Sequence, residues 1–470
     1  MNKFLILLTF LHLALAASIT MRNALREQVV IDFKNAIVPI ISKKIEHIVV
    51  PDIHGKESGI EYWVNNIHVY INAINPAQIN IQFIAPSTLR FTGSTLSMRG
   101  TARAKAKWSF IQKTVDVSIS ISNAAISTSI VPISANGKPN IKITELNLGI
   151  SSGNVHIKIS GGLIGKVIDL IVGALKGHIV KYVVSAVQSK VPPIVANEVN
   201  RLLNTLPSDI KISDKVYMKY SFPNAAIIKN KFLLTGVVAY FHPAGDPTPP
   251  PGPVGPMPET DPQNPKGVQF FLSDYIIRSA LNTAFKLSLL TIEVNTKLDN
   301  RKVFMKCSVT KLPDFKFANA IKASVDGTCA VTLDADPKPK FQVILSLGLE
   351  LSEKVKNAIL FFYAEKFEIV HIDYKELEPV NIEWFKKGIN DVMAAVLVVI
   401  NGELGQKGIP LPTIKEIDYS DIIQYVADGY TMIGTTPIFN LKMEGEGIIL
   451  GDSSEEVIVD DQLLEEYSKY

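Results

Sequence analysis

PAGDPTPPPGPVGPMPETDPQNP, residues 243–265, holds ten prolines in 23 residues. Each proline fixes φ and lacks an N–H, so this stretch can be neither helix nor interior strand and favours extended polyproline geometry. It reads as a semi-rigid strap. It divides the chain into a first half, residues 17–242, and a second half, residues 266–443, with an acidic tail, 444–470, behind them.

Outward from the strap, the two halves read alike. Each opens with an amphipathic helix, passes through long strand-like stretches, then has a second long helix and closing strands. In the first half Leu25, Val29, Phe33, Ile37, Ile41 and Ile45 recur every four residues, which predicts a helix over 21–49 with a kink at Pro39. INIQFI (79–84), VDVSISI (115–121) and VHIKI (155–159) alternate apolar and polar residues, the mark of a sheet with one buried face. Residues 102–109 put Arg103, Lys105 and Lys107 on one side and Ala102, Ala104, Ala106 and Trp108 on the other. Ile164, Val167, Ile168, Ile171, Leu175, Ile179 and Val183 predict a second helix over 163–206, broken or bent at Pro192-Pro193, and two closing strands over 216–241. The second half predicts a helix over 272–289 with Ser273 as N-cap, strands over 303–309, 328–333 and 341–351, a helix over 382–404 that is apolar almost all round its centre, and strands over 422–426 and 438–443.

The N-terminus carries Lys3, an apolar run from Phe4 to Leu15, and Ala14-Leu15-Ala16, the form of a secretory signal over residues 1–16. The expected product is secreted and extracellular. Cys307 and Cys329 could then pair across strands, or remain two buried thiols.

The net charge of +3 conceals a polarity. The first half has 25 Lys+Arg against 12 Asp+Glu, the second 21 against 21, and the tail one against nine. The basic half suits anionic partners such as lipid headgroups, or simply aids solubility. No nucleic-acid motif accompanies it. The eight histidines are scattered and no metal-ligand spacing occurs, so neither metal nor cofactor is expected. Gly149-Ile150-Ser151-Ser152-Gly153 fits the G-x-S-x-G elbow of hydrolases, but that turn needs a helix directly after it and a strand follows here. It reads as a Gly/Ser turn, with no catalytic residue assigned. A secreted esterase using Ser151, or a structural extracellular protein with solid domains, stand as alternatives.

Several stretches resemble the family of bactericidal/permeability-increasing protein, lipopolysaccharide-binding protein and the plasma lipid transfer proteins. They are KIEHIVVPD (44–52), VHIKIS (155–160) followed by IGKVI (164–168), NTLP (204–207), FLSDY (271–275) after the strap, and KGIPLP (407–412). They lie in family order. The resemblance implies an α+β boomerang of two pseudo-symmetric elongated domains. Each would be a twisted antiparallel barrel packed with two helices, and a central sheet would join them. It implies a non-enzymatic lipid-binding or lipid-transfer protein that holds phospholipid or lipopolysaccharide, meets membrane or particle surfaces transiently, and serves lipid transport or innate defence. On that basis Ile37, Ile40, Ile41, Ile164, Val167, Ile168 and Ile171 are the expected pocket residues, and Arg99, Arg103, Lys105 and Lys107 the expected headgroup strand. The chain departs from the family in having no cysteine in the first half, where members carry a disulfide, and in its acidic tail, expected to be disordered or to form a short capping helix.

Overall fold

A computed structural model describes residues 18–161, 165–334, 336, 338–404, 408–442, 449–450 and 456–459. The expected signal, residues 1–16, lies outside them. The first half runs β1 (Met21–Arg26), α1 (Glu27–Lys44), β2 (His47–Val50), β3 (Asp52–Glu57), β4 (Ile60–Ile71), β5 (Asn80–Ile84), β6 (Thr88–Trp108), β7 (Ile111–Ala135), β8 (Lys138–Gly149), β9 (Val155–Ser160), α2 (Gly165–Leu203), β10 (Asp209–Lys211), β11 (Val216–Ser221), β12 (Ile227–Lys229) and β13 (Phe232–Pro243). After the strap come β14 (Val268–Ser273), α3 (Asp274–Lys286), β15 (Thr291–Leu298), β16 (Arg301–Val309), β17 (Asp314–Phe317), β18 (Ile321–Leu333), β19 (Phe341–Lys356), β20 (Ile359–Glu376), α4 (Glu383–Lys387), α5 (Ile389–Leu404), β21 (Ile409–Pro410), β22 (Ile417–Ala427) and β23 (Tyr430–Phe439). Two tail strands follow, β24 (Ile449–Leu450) and β25 (Glu456–Val459).

Three sheets organise these elements. The first-half sheet runs β24-β2-β4-β6-β7-β8, with β3, β5, β9 and β25 attached. Its longest strands, β6 and β7, have 21 and 25 residues, and strands of that length in register accumulate strong right-handed twist. The second-half sheet runs β15-β16-β18-β19-β20-β21. Between them lies β10-β11-β13-β1-β14-β23-β22, drawn from both halves. Its pivot is β1: Met21 faces Val237 of β13 on one side and Leu272 of β14 on the other. All six residues of β14 are buried. The result is an elongated, boomerang-like pair of curved half-barrels, each packed by helices.

The strap is fastened by its carbonyls, which prolines retain. Tyr240 donates to Pro247 at 2.6 Å, Tyr275 to Pro250 at 2.5 Å, and Arg278 to Pro253 at 2.6 Å.

Several expected boundaries are corrected. The helix expected over 21–49 is α1, with strands on both sides. Met21, Ala24, Ile45 and Ile48 are core residues in strands or turns, so the apolar spacing ran on past the helix ends. Likewise 268–273 is a strand ahead of α3, so each half opens with a strand and then a helix. Ser273 is the N-cap of α3 but makes no side-chain cap; its hydroxyl donates to Thr20 O at 2.8 Å, tying β14 to the start of β1. Helix α2 continues through Pro192 and Pro193, with Val191 and Val199 buried on either side of the pair. The helix expected over 382–404 is split at Gly388, where a Cβ would lie 2.3 Å from Leu298 Cδ1. Three strands, not two, occupy 216–243; the expected 422–426 is part of a longer β22, whereas the expected 438–443 overlaps only the last two residues of β23; and β20 went unforeseen. In the tail, β24 pairs parallel to β2 and β25 parallel to β3, in place of the expected disorder or helix; the rest of the tail lies outside the described residues. Cys307 and Cys329 face each other on β16 and β18 and form a disulfide.

Candidate functional site

Helix α2 lies across the concave face of the first-half sheet. Val167, Ile171, Leu175, Ile179, Val183, Val187 and Val191 are buried at helical spacing against Val64, Val69, Ala104, Val117, Ile121 and Val155. At about 25 cal/mol per Å² of apolar area removed from water, such a seam dominates the stability of the half. The helix has more apolar surface than the seam uses. Ile168, Leu170 and Val172 remain only half-buried outside it, and Val180 and Val184 are half-buried at its edge. In the second half α5 repeats this: Val392, Met393 and Val396 are buried on the sheet, while Val398 is 72% exposed.

Each long helix ends in an amide clamp. Asn200 on α2 accepts from Ile141 N at 2.7 Å and donates to Ile141 O at 3.1 Å. Asn401 on α5 does the same with Ala364, at 2.7 and 2.9 Å. An amide carries both a donor and an acceptor, so one side chain restores the strand hydrogen bonds and fixes the helix at one end. The periodicity did not expose these residues because an Asn in a helix looks like solvent surface.

The expected pocket residues fall into two places. Ile37 is 5% exposed and packs with Val199 and Leu202 near the end of α2, with Ile40 and Ile41 half-buried around it. Val167 and Ile171 lie near the start of α2, on the sheet, and Ile168 is half-buried beside them. Ile41 also packs on the sheet core. Ile164 lies outside the described residues. These side chains fill one another's contacts.

Two polar groups hold this seam. Lys44, the last residue of α1, pairs with Glu198 of α2 at 2.5 Å, both nearly buried, and Arg201 lies 3.6 Å from the same carboxylate. His178 of α2 is 4% exposed and donates to the Pro51 carbonyl at the β2–β3 junction. Burial, then Lys181, depress its pKa from the ordinary 6.5 to about 4. An unfolded chain therefore takes up the proton before the folded one does. Stability from neutral His178 is full above pH 6.5 and is lost as pH falls toward 4, about 3 kcal/mol across the window. The midpoint of urea unfolding should drop over that interval, and His178→Leu should flatten the slope there.

The basic strand is as expected on the outer face of β6. Arg99 and Arg103 are exposed, Arg103 lies 3.5 Å from Asp116, Lys105 stands 5.1 Å over the Trp63 ring, and Lys107 faces Glu61 in register. Just beyond, Phe110 at the β6–β7 hairpin tip is 92% exposed and Ile111 is 36% exposed. The expected strand over 102–109 ends at Trp108. The turn is made by Ser109, at φ 53°.

Ser151 precedes one 3-10 turn, Ser152–Asn154, and then β9. The strand-to-helix elbow that would expose a nucleophile is not formed there. Among the described residues no group of three or more His, Cys, Asp or Glu could hold a metal ion, and no helix is long and apolar enough to cross a membrane.

Residues 32–206 match the model of the LBP / BPI / CETP family, N-terminal domain. The chain resembles this family. The crystal structure of lipopolysaccharide binding protein is similar over 90% of this chain and 99% of its own, at 15% identity and a TM-score of 0.51. It has the same fold. P47 from Clostridium botulinum A2 aligns over 89% of this chain and 97% of its own, at 11% identity and a TM-score of 0.31. Takeout 1 of Epiphyas postvittana aligns over 38% and 92%, at 9% identity and 0.22. No curated protein matches. The half-buried and exposed apolar residues of α2 and α5 sit on the two half-barrels of that fold.

Proposed function

We propose that this chain is a secreted, non-catalytic carrier that takes up the acyl chains of phospholipid or lipopolysaccharide along α2 and α5. The observation that carries the reading is the apolar surface of both long helices left over once their sheets are packed. A helix apolar beyond its packed face is matched to lipid. Each methylene removed from water contributes about 0.8 kcal/mol, so a chain of roughly 16 carbons faces on the order of 12 kcal/mol on leaving a membrane. A dry flank of matching length offsets this without any catalytic group. The likeness of residues 32–206 to the family supports the same reading. A sheltered, lipid-loaded carrier also fits the expected signal at residues 1–16.

Headgroups would meet the outer face of β6. Arg99, Arg103, Lys105 and Lys107 supply positive charge, and Phe110 an aromatic tip that can enter a lipid interface. Reversing Arg103, Lys105 and Lys107 to Glu should weaken binding to lipopolysaccharide and to anionic vesicles at least tenfold, and less so at high salt. Unchanged affinity in a vesicle co-sedimentation assay would remove this face from the account. Transfer of labelled phospholipid between neutral vesicles, set against lipopolysaccharide binding, separates transport from microbial recognition.

A further inference from the structure

Asn80, Thr92, Ser127 and Asn147 stand directly opposite one another on β5, β6, β7 and β8. Residues in such register share one face of the sheet. Neighbours Ile81 and Phe91 pack inward, so the row points outward. The four residues, with Ser94, line an open depression of about 360 Å³ on the sheet surface, at the small end of the range for ligand pockets, about 300–1,000 Å³. Gly93, Ala125, Ile126 and Gly149 complete its lining. Gly149 opens the G-x-S-x-G run to which no catalytic role fell. A Cβ there would meet nothing nearer than 3.9 Å, so its lack of a side chain keeps space open. The β6–β7 register shifts between Gly93 and Leu96, which breaks the flat sheet at this point.

The lining is uncharged and mixed: Ile126, Ala125 and the two glycines are apolar, and five residues carry an amide or hydroxyl. It contains no Lys, Arg, His, Asp or Glu, so an anion or cation would leave water without a counter-charge. An acyl chain would cover five amide or hydroxyl groups and strand their hydrogen bonds. Asn147 donates to Glu145 at 2.7 Å, which orients the amide and leaves its carbonyl oxygen as an acceptor. Amide and hydroxyl groups in a row, each able to donate or accept, match a ligand bearing adjacent neutral hydroxyls.

We propose that this depression is a binding site for an uncharged sugar of about hexose size, separate from the helix flanks that take acyl chains. The sugar could be free or displayed on a lipid, and one experiment covers both. Saturation-transfer NMR on the full-length protein would use the methyl glycosides of glucose, galactose, mannose and N-acetylglucosamine. A parallel arm would measure capture of phosphatidylcholine vesicles containing galactosylceramide. Signal from a free glycoside, or capture of the glycolipid vesicles over plain ones, is expected. The first identifies a free sugar and the second a lipid-borne one. Gly149→Val should abolish it by filling the depression, and Thr92→Val, which keeps the strand-compatible shape, should weaken it about fivefold. Inorganic phosphate should not compete. No transfer and no selective capture in the whole set, or binding unaffected by both variants, would overturn the proposal while leaving acyl-chain binding untouched.

Discussion

Glu198→Ala is expected to destabilise the protein by about 3–5 kcal/mol, because it leaves a buried ammonium without its counter-ion. Lys44 and Glu198 join the end of α1 to α2, with side chains 10% and 11% exposed. Arg201 would lose the same carboxylate. Against a total stability of about 5–15 kcal/mol for a typical protein, that loss is large. Urea unfolding should show a lower midpoint with little change in slope. The double variant Lys44→Met with Glu198→Leu should recover most of the loss, since it removes both charges together. A double variant as unstable as Glu198→Ala would mean that the pair orders the helix junction in a way that packing cannot replace.

Val398→Asp should cut lipid bound by the second half at least tenfold while leaving unfolding within about 0.5 kcal/mol of the parent. The residue is 72% exposed on α5, so a carboxylate there stays hydrated in the lipid-free protein. It would have to lose that hydration beneath an acyl chain. Val184→Asp on the half-buried flank of α2 should do the same for the first half, with some loss of packing. Wild-type lipid uptake by a Val398→Asp protein, measured by extraction after incubation with labelled vesicles, would show that this flank is ordinary surface.

Much of this was legible in the sequence, for identifiable reasons. The strap declared itself because proline has few alternatives. The basic and apolar faces of residues 102–108 were read correctly because strand side chains alternate strictly, and the structure buries Ala102, Ala104 and Ala106. Helix ends were misread because apolar spacing of four ran from Leu25, inside β1, through Ile45, one residue past the end of α1. Two exchange partners decide those ends: residues 21–26 find β13 and β14, which lie more than two hundred residues away. No local pattern carries that information. Of the pocket candidates, Val167 and Ile171 pack on the sheet and Ile37 on the end of α2, while Ile40, Ile41 and Ile168 are half-buried. The flank that remains available is the half-buried set, Ile168, Leu170, Val172, Val180 and Val184, of which only Ile168 had been singled out as a pocket residue. The clamps of Asn200 and Asn401 and the pairing of the tail with β2 and β3 depend on contacts that only folding brings together.

The most direct measurement is native mass spectrometry of the full-length protein, extracted gently and then incubated with phospholipid vesicles. The account predicts a mass excess equal to one or more intact phospholipids, reduced by Val184→Asp and Val398→Asp. A spectrum at the mass of the bare polypeptide, before and after the vesicles, would contradict it.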